Sequence, residues 1–301
     1  MLVLQYGMLC RQKALSHTHG SSRTVAPVFA DLAITHGGMF MGFVKTADEV
    51  ARIQSVLRQP RFVAAEMLSI DFLTRPETVA KVLPPGLEPS TEPLVSVMVG
   101  RWRSNCVADY CGGAVYVLAR YRDIEAFYVL AMYMDSDQAI MFGRDVFGEP
   151  KKRAESNLQR RGRSMQGTVD RNGTRLIDIR AELGENLGPA TVCGKNFNVK
   201  ATPAPDGSGC ESDPALTLAE FDNALTVRRE GTGSLTLGSS LHDPLGDIDI
   251  VSLRGTAYVE GDLISRARTI GLLDKEAYFP YLLGRMDDWS ALDTEKLLSL
   301  S

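Results

Sequence analysis

The sequence predicts an α+β fold in which a bent or closed, mainly antiparallel β-sheet is flanked by helices. The chain has 301 residues, which is enough to bury a sizeable core. Between residues 92 and 142, short runs of β-forming residues alternate with turn signals, whereas helix signals lie before this region and near the end of the chain. No internal repeat or long linker divides the sequence. We therefore expect an irregular N-terminal arm at residues 1–45 and a single domain at residues 46–301.

Capping residues and apolar periodicity predict the helices. Residues 46–58 begin with Thr46 as a candidate N-cap, carry acidic residues in the first turn and place their apolar residues on one face. A second short helix is predicted to start with Thr74 as its cap, because a proline and a glutamate follow at the first-turn positions. Two further helices are expected at residues 274–283 and 290–299.

Runs rich in β-branched and aromatic residues predict the strands. The runs lie at residues 94–100, 114–121, 126–134, 165–183, 194–202, 215–238 and 248–260. Inside the fourth run, Asn172-Gly173 is the dipeptide that favours a two-residue hairpin turn. Because the connections between most of these runs are short, neighbouring strands are expected to pair antiparallel.

Composition and charge favour a protein that acts on a small molecule. Apolar residues make up 44% of the chain and charged residues 23%, and the formal net charge is −4. No basic stripe indicates nucleic acid, and no run approaches the roughly 18 apolar residues that span a bilayer. The first 30 residues contain no acid and resemble an organellar transit peptide, with a loosely docked arm as the alternative. We expect a cytoplasmic protein without nucleic-acid or membrane partners.

The cysteines and histidines do not predict a metal site. Five cysteines are present, without a C-x-x-C pair and without a Cys/His cluster at zinc-ligand spacing. We read them as reduced thiols of an intracellular protein. Three of the four histidines lie in the irregular N-terminal stretch, and the fourth stands alone beside an aspartate, so structural or solvated roles are expected.

One segment, residues 132–156, carries a pattern that points to chemistry. It reads MYMDSDQAIMFGRDVFGEPKKRAES, and it ends on the adjacent lysines Lys151 and Lys152, which follow a Gly-x-Pro turn. Taken by themselves, two adjacent lysines most often form a solvated basic pair.

The segment resembles the signature of the acetoacetate decarboxylase family, M-Y-x-D-x-x-x-A-I-x-x-G-R-(E/D)-x-x-x-x-P-K-K. The matching residues are Met132, Tyr133, Asp135, Ala139, Ile140, Gly143, Arg144, Asp145, Pro150, Lys151 and Lys152. The similarity extends over roughly residues 60–285, including SIDFLTRPETVAKVLPPGLEP upstream. The resemblance implies the fold of that family and a keto substrate. We also expect a homo-oligomer that uses no cofactor.

The resemblance assigns the chemistry to Lys151, because the first lysine of the pair condenses with a substrate ketone in that family. The resulting protonated imine draws electrons from a neighbouring bond, which then breaks more easily. Such a lysine needs a lowered pKa, which burial and a second cation provide, as is known for acetoacetate decarboxylase itself. Lys152 is the candidate second cation, and Phe147 is one candidate apolar wall. Arg144 belongs to the signature, and either a structural or a substrate-orienting role is open for it.

The resemblance fails at three positions that bear charge in the family. Gly112 stands where the family has its active-site glutamate, Ala65 where it has a pocket arginine, and Met98 where it has a second glutamate. These changes argue against a small anionic β-keto acid and favour a larger, less polar ketone. Asp109 could supply the missing acid or base, although a loop aspartate is more often a turn former, and Glu149 is weighed in the same way.

Two main hypotheses follow. The first is a lyase with a Schiff-base lysine, which decarboxylates a β-keto acid other than acetoacetate or performs a related retro-aldol, aldol-dehydration or cyclisation reaction. The second is a protein on the same fold that binds or templates its ligand without covalent reaction at the lysine. A purely structural homo-oligomer is a third reading.

Overall fold

The computed structural model describes residues 42–292, which consist mostly of β-strands. The strands are β1 (Arg61–Leu73), β2 (Glu88–Pro89), β3 (Leu94–Ser104), β4 (Ala108–Tyr121), β5 (Ile124–Met134), β6 (Lys151–Arg153), β7 (Glu155–Arg161), β8 (Ser164–Arg171), β9 (Thr174–Leu183), β10 (Ala190–Lys200), β11 (Ala215–Leu237), β12 (Ser239–Ser240), β13 (Asp243–Pro244) and β14 (Ser252–Leu272). The α-helices are α1 (Ala47–Arg58), α2 (Pro76–Val82), α3 (Asp137–Phe142) and α4 (Lys275–Gly284). A π-helical segment, Gly143–Phe147, continues α3, and 3₁₀ turns lie at Leu245–Asp247 and Trp289–Leu292.

Seven strands close into a barrel. Their order is β10, β5, β4, β3, β1, β14 and β11, and β11 pairs again with β10. The pairs are antiparallel except for β5 and β10, which run parallel. The predicted α+β class and the closed, mainly antiparallel sheet are confirmed.

A second layer of sheet packs on the outside of the barrel. The long strand β11 runs beyond the barrel, and its last part pairs with β9, which continues to β8 and β7. The hairpin between β8 and β9 turns at Asn172 and Gly173, both with positive φ, as the sequence predicted. An apolar core lies between the two layers and includes Leu68, Ile70 and Phe72 of β1 together with Val169, Ile177 and Ile179.

A second apolar core fills the barrel lumen. Because successive side chains of a strand point to opposite faces, the residues between those of the outer core face inward. The buried residues of this lumen cluster are Ala65, Trp102, Val107, Tyr110, Ala114, Val129, Met132, Met134, Ala139 and Leu263. Met67 and Met98 pack against it. The lumen is therefore lined by aromatic rings and thioethers.

The barrel wall is split beside β5. This strand pairs with β10 only at Phe127 and Tyr128, and it pairs with β6 further along, at Met132–Met134. The short strand β6 thus fills the wall at the point where β10 has left β5. The segment that leads to Lys151 is built into this opening.

The helices follow the predictions with one correction. The N-cap Thr46 and the capping box with Glu49 are present in α1, although no residue of this helix is buried. In contrast, Thr74 does not cap α2, which begins at Pro76 with Arg75 at the N-cap and no side-chain cap bond. Thr74 instead remains next to the sheet, where its backbone N–H donates to the carbonyl oxygen of Pro93.

The ends of the chain are described only in part. Helix α4 is confirmed, and Asp274 caps it. Of the helix predicted at 290–299, only residues up to 292 lie within the described part, and they form a 3₁₀ turn. The predicted N-terminal arm falls outside the described residues apart from residues 42–45.

Within residues 42–292, Cys106, Cys111 and Cys210 carry free thiols. No helix in this range is long and apolar enough to cross a bilayer. Nor does the range contain three His, Cys, Asp or Glu side chains grouped to hold a metal ion.

Candidate active site

Lys151 is the first residue of β6 and pairs with Met132 of β5. It is 6% exposed, so its amine is buried in the split wall of the barrel. Pro150 precedes it with a fixed φ, and Gly148 before that takes a left-handed conformation with φ of 80°. These two residues turn the chain sharply from the π-helical segment into the wall.

Glu149 forms an ion pair with Lys151 inside the protein. Its Oε2 atom lies 2.8 Å from the Lys151 Nζ atom, and the two side chains are 10% and 7% exposed. The backbone fixes this geometry, because the Glu149 N–H donates to the Gly143 carbonyl and the Lys151 N–H donates to the Glu149 carbonyl. An acid and an amine are thus held in hydrogen-bond contact away from bulk water.

Gly143 leaves the space that this ion pair occupies. Its φ of −63° is ordinary for any residue, so the backbone does not require glycine here. A Cβ atom at this position would lie 2.7 Å from the Lys151 Nζ atom and would collide with the Glu149 carboxylate. The glycine of the signature is therefore required by close approach to the reactive groups.

Two tyrosines line the lumen beside the ion pair. The Lys151 Nζ atom lies 5.8 Å from the centre of the Tyr110 ring, and the Trp102 ring stacks on Tyr110 with the ring centres 5.2 Å apart. Burial raises the pKa of both Tyr110 and Tyr116 well above the usual value, and the negative charge of Glu149 adds to the effect. Both phenols therefore stay protonated at neutral pH and can donate hydrogen bonds.

Arg144 supports the backbone at Lys151. Its Nη1 atom donates to the carbonyl oxygen of Lys151 at 3.1 Å. Burial lowers the pKa of Arg144, and the nearby Arg285 acts in the same direction. Of the two roles left open by the sequence, this contact favours the structural one.

Lys152 points away from the lumen, so the prediction that it acts as a second cation beside Lys151 needs correction. Adjacent residues of a strand face opposite sides, and the Lys152 ammonium donates to Asp243 and to the carbonyl oxygens of His242 and Met286. Its charge is balanced by Asp243 at 2.9 Å and Asp287 at 3.3 Å. Lys152 instead ties β6 to the C-terminal part of the described chain.

The three departures from the family pattern converge on the lumen that holds Lys151. Ala65 is part of the lumen cluster, and Met98 packs against it. Gly112 pairs with Met134 of β5, and a Cβ atom at position 112 would collide with the Met134 sulfur. The space of the absent side chain is thus filled by a thioether.

Asp109 does not supply an acid to this site. It is exposed and pairs with Arg103 on the neighbouring strand, whereas the adjacent Tyr110 faces the lumen. Strand alternation places the Asp109 carboxylate on the outer face, so its predicted catalytic role is wrong. The acid that the structure places beside Lys151 is Glu149. In the sequence, only Pro150 separates this glutamate from the lysine, and this proximity was the available signal.

Phe147 closes the π-helical segment and is buried. Its ring contacts Phe142 edge-to-face at 5.5 Å, and Phe142 packs against the lumen cluster. The carbonyl oxygen of Phe147 accepts a hydrogen bond from the Thr217 hydroxyl at 2.6 Å. The predicted apolar wall is therefore present at the end of the segment that carries Glu149 and Lys151.

Comparison with known proteins finds similarity over most of the chain. The model of the family described as acetoacetate decarboxylase matches residues 49–272. Acetoacetate decarboxylase from Burkholderia cenocepacia (strain HI2424) is 28% identical over 230 residues, which cover 74% of this chain and 89% of that protein.

Solved structures share the fold. Acetoacetate decarboxylase from Legionella pneumophila superimposes with a TM-score of 0.64 at 22% identity, over 71% of this chain and 87% of that one. The enduracididine biosynthesis enzyme MppR, complexed with the condensation product of pyruvate and imidazole 4-carboxaldehyde, superimposes with a TM-score of 0.59 at 16% identity, over 70% of this chain and 88% of that one.

Proposed function

This chain belongs to the acetoacetate decarboxylase family, and from that premise we propose that it is an enzyme in which Lys151 condenses with the carbonyl group of a keto substrate. The observation that carries the proposal is the buried contact of 2.8 Å between Lys151 and Glu149 at the wall of an apolar lumen. A solvated pair of lysines would not bury an amine against a carboxylate.

Glu149 serves as the acid and base of the condensation. It first accepts a proton from the Lys151 ammonium, which frees the amine to attack the substrate carbonyl carbon. In the adduct that results, the nitrogen passes one of its protons to the alkoxide oxygen. The Glu149 carboxyl group then returns its proton to this hydroxyl, which leaves as water while the protonated imine forms. No proton has to enter from bulk water, since the two groups are already in contact.

The imine makes several reactions possible. Once protonated, its nitrogen accepts the electrons of a breaking bond beta to it, so loss of carbon dioxide and retro-aldol cleavage are both accelerated. Aldol condensation with dehydration and cyclisation use the same intermediate. The condensation product bound by MppR is consistent with such a range on this fold. We propose a lyase of this group.

The substrate is a ketone larger and less anionic than acetoacetate. Ala65, Met98 and Gly112 offer no cation to a substrate carboxylate and no acid to steer it. Methionine side chains adapt their shape easily, so a lumen lined by Met98, Met132 and Met134 can repack around an extended apolar body.

A binding protein without covalent chemistry is the second candidate. The observation that favours it is the burial of Lys151, which is 6% exposed and whose amine is paired with Glu149. In that case the ligand would occupy the lumen while Lys151 stays an ammonium ion, so the two candidates differ in whether a covalent adduct forms.

Borohydride trapping decides between the two candidates. The protein is incubated with methyl ketones such as 2-heptanone and reduced, and mass spectrometry locates the adduct. The enzyme proposal expects one adduct on Lys151 in the wild type, none in Lys151→Arg, and an unchanged adduct in Lys81→Arg, which alters an exposed lysine. If ketones change the fluorescence of Trp102 in the lumen but are never trapped, the binding candidate is supported instead.

A further inference from the structure

Asp71 on β1 is a buried carboxylate with a relative exposure of 0%. Within residues 42–292, neither of its two carboxylate oxygens has a hydrogen-bond partner. Burial raises its pKa to about 6, and the Ser96 hydroxyl opposes this rise only in part. Native proteins seldom leave a buried polar side chain unpaired, so this position calls for an explanation.

Strand alternation places Asp71 on the lumen side of β1. Leu68, Ile70 and Phe72 belong to the outer core, whereas Ala65 belongs to the lumen cluster. Asp71 therefore points inward. It lies opposite Ser96 on β3, which in turn lies opposite Tyr116 on β4.

Lys151 lies across the lumen from Asp71. In the closed order of the barrel, β1 is three strands from β5 in one direction and four in the other, and β6 sits between β5 and β10. The cross-strand row that contains Met132, the partner of Lys151, runs through Ala114 and Met98 to Ser69. Asp71 lies two residues beyond Ser69, roughly 7 Å further along the strand. The carboxylate and the amine thus belong to opposite walls of one lumen, at different levels along the barrel.

The apolar surroundings make this carboxylate costly for the fold. A β-branched residue would pack well at an inward position of β1, whereas an unpaired buried carboxyl loses its hydration without compensation. Groups of this kind are concentrated where a ligand supplies the missing partner. The hydroxyls of Ser69 and Ser96 are the neighbouring polar groups on the same face, and both are buried.

We propose that Asp71 is the distal recognition group of the lumen and binds a hydrogen-bond donor, a hydroxyl or a protonated amine, at the end of the ligand remote from Lys151. This inference rests on the proposed function for the orientation of the ligand. The substrate class is then an elongated ketone with a donor group at the far end of an apolar body. Its length is set by the span from one wall of a small barrel to the other.

The test uses probes that lack a ketone, so it does not depend on imine formation. Hexylamine, 1-hexanol and hexanoate have the same apolar body and differ in the end group. Their binding is followed by the fluorescence of Trp102, which stacks on Tyr110 in the lumen. The wild type should bind hexylamine or 1-hexanol at least tenfold more tightly than hexanoate, and the better of the two identifies the donor.

Variants assign this preference to the carboxylate. Asp71→Val should lose the preference for donors altogether, whereas Asp71→Asn should lose the preference for hexylamine and keep part of that for 1-hexanol. Both variants should melt at or above the wild-type temperature, because the unpaired carboxylate is removed.

Two results would overturn the inference. The first concerns the wild type: if hexylamine and 1-hexanol bind no better than hexanoate, or if no probe binds, the lumen does not recognise a donor. A preference that survives in Asp71→Val would place the recognition elsewhere. Failure of borohydride trapping with the donor preference intact would instead count only against the enzyme proposal.

Discussion

The Met134 sulfur lies in the space into which any side chain at Gly112 would project. The two residues are direct partners on β4 and β5. The absence of an acid at position 112 is therefore accompanied by a thioether that fills its place. The lumen has been repacked as an apolar chamber and has not simply lost one charge.

Acetoacetate should be a poor substrate for this protein. A small anionic keto acid would enter an apolar lumen without a counter-charge, because Ala65 stands where the family pattern has a pocket arginine. Leaving a carboxylate unpaired in a buried site costs several kcal/mol, so turnover should fall on the order of a thousandfold below that of an acetoacetate decarboxylase. Release of carbon dioxide from acetoacetate measures this. Rapid release would show that another group in the lumen supplies the charge.

Glu149→Gln should slow the condensation with ketones. Glutamine preserves the shape and can still contact Lys151, but it cannot accept a proton. General acid and base catalysis contributes about 10²- to 10⁴-fold, so the rate of borohydride-trapped adduct should fall within that range. Ligand binding by Trp102 fluorescence should change little. Glu125→Gln, which alters an exposed glutamate, is the matched control. Equal rates in both variants would assign the proton transfer to another group.

Lys151→Met should destabilise the fold, because it leaves the Glu149 carboxylate buried without a partner. Removal of one member of a buried ion pair typically costs about 3–5 kcal/mol. The double variant Lys151→Met with Glu149→Met should recover most of this loss, since replacing both partners by apolar residues is often neutral. Urea unfolding at pH 7 measures the three proteins. A single variant as stable as the wild type would mean that the pair is solvated in solution.

Gly143→Ala should separate helix stability from activity. Alanine favours a helix by about 1 kcal/mol over glycine, and the backbone angles at position 143 accept it. Its Cβ atom, however, would press on the Lys151 amine and the Glu149 carboxylate. We expect loss of adduct formation with the fold retained by circular dichroism. Gly162→Ala, at a position with open space around it, controls for loss of a glycine as such, although its positive φ adds strain.

Asp71→Asn should change how stability depends on pH. Burial raises the folded pKa of Asp71 to about 6 from its ordinary value of 3.8, so the folded state holds the proton more tightly than the unfolded chain. The destabilising effect is absent below pH 3.8, grows as pH rises toward 6 and stays constant above. The full effect is about 3 kcal/mol, at 1.36 kcal/mol per pKa unit. Asp71→Asn should therefore gain stability relative to the wild type between pH 4 and pH 6 in urea unfolding. Parallel curves for the two proteins would show an ordinary carboxylate.

Local patterns predict β3, β4 and β5 well, because the β-forming runs coincide with these strands, whereas no run predicts β1 or β7. The signature singles out Lys151 and Arg144, and the reactivity of Lys151 stays a prediction. The face of Lys152 could also have been predicted, since adjacent residues of a strand point apart. The same rule applied to Tyr110 would have placed Asp109 outside.

Other features depend on which strands meet, and no single segment contains that information. Burial of Asp71 requires the barrel to close around β1. The contact between Gly112 and Met134 requires the register of β4 against β5. Glu149 becomes the partner of Lys151 only because the π-helical segment ends on Gly148 in a left-handed turn.

Because β6 carries two adjacent lysines, a change in the register of this strand would have chemical consequences. Each lysine has its own environment, the lumen acid Glu149 for the first and the pair Asp243 and Asp287 for the second. A slip of β6 by one residue would exchange them, so an amine would still enter the chamber while the outer acids lost their cation. Because Glu149 precedes Lys151 in the same segment, the slip would also displace its carboxylate, and the amine that entered the chamber would lack its acid partner. The adjacent lysines therefore keep an amine at the lumen under such a slip, but only the native register keeps the acid and the amine together.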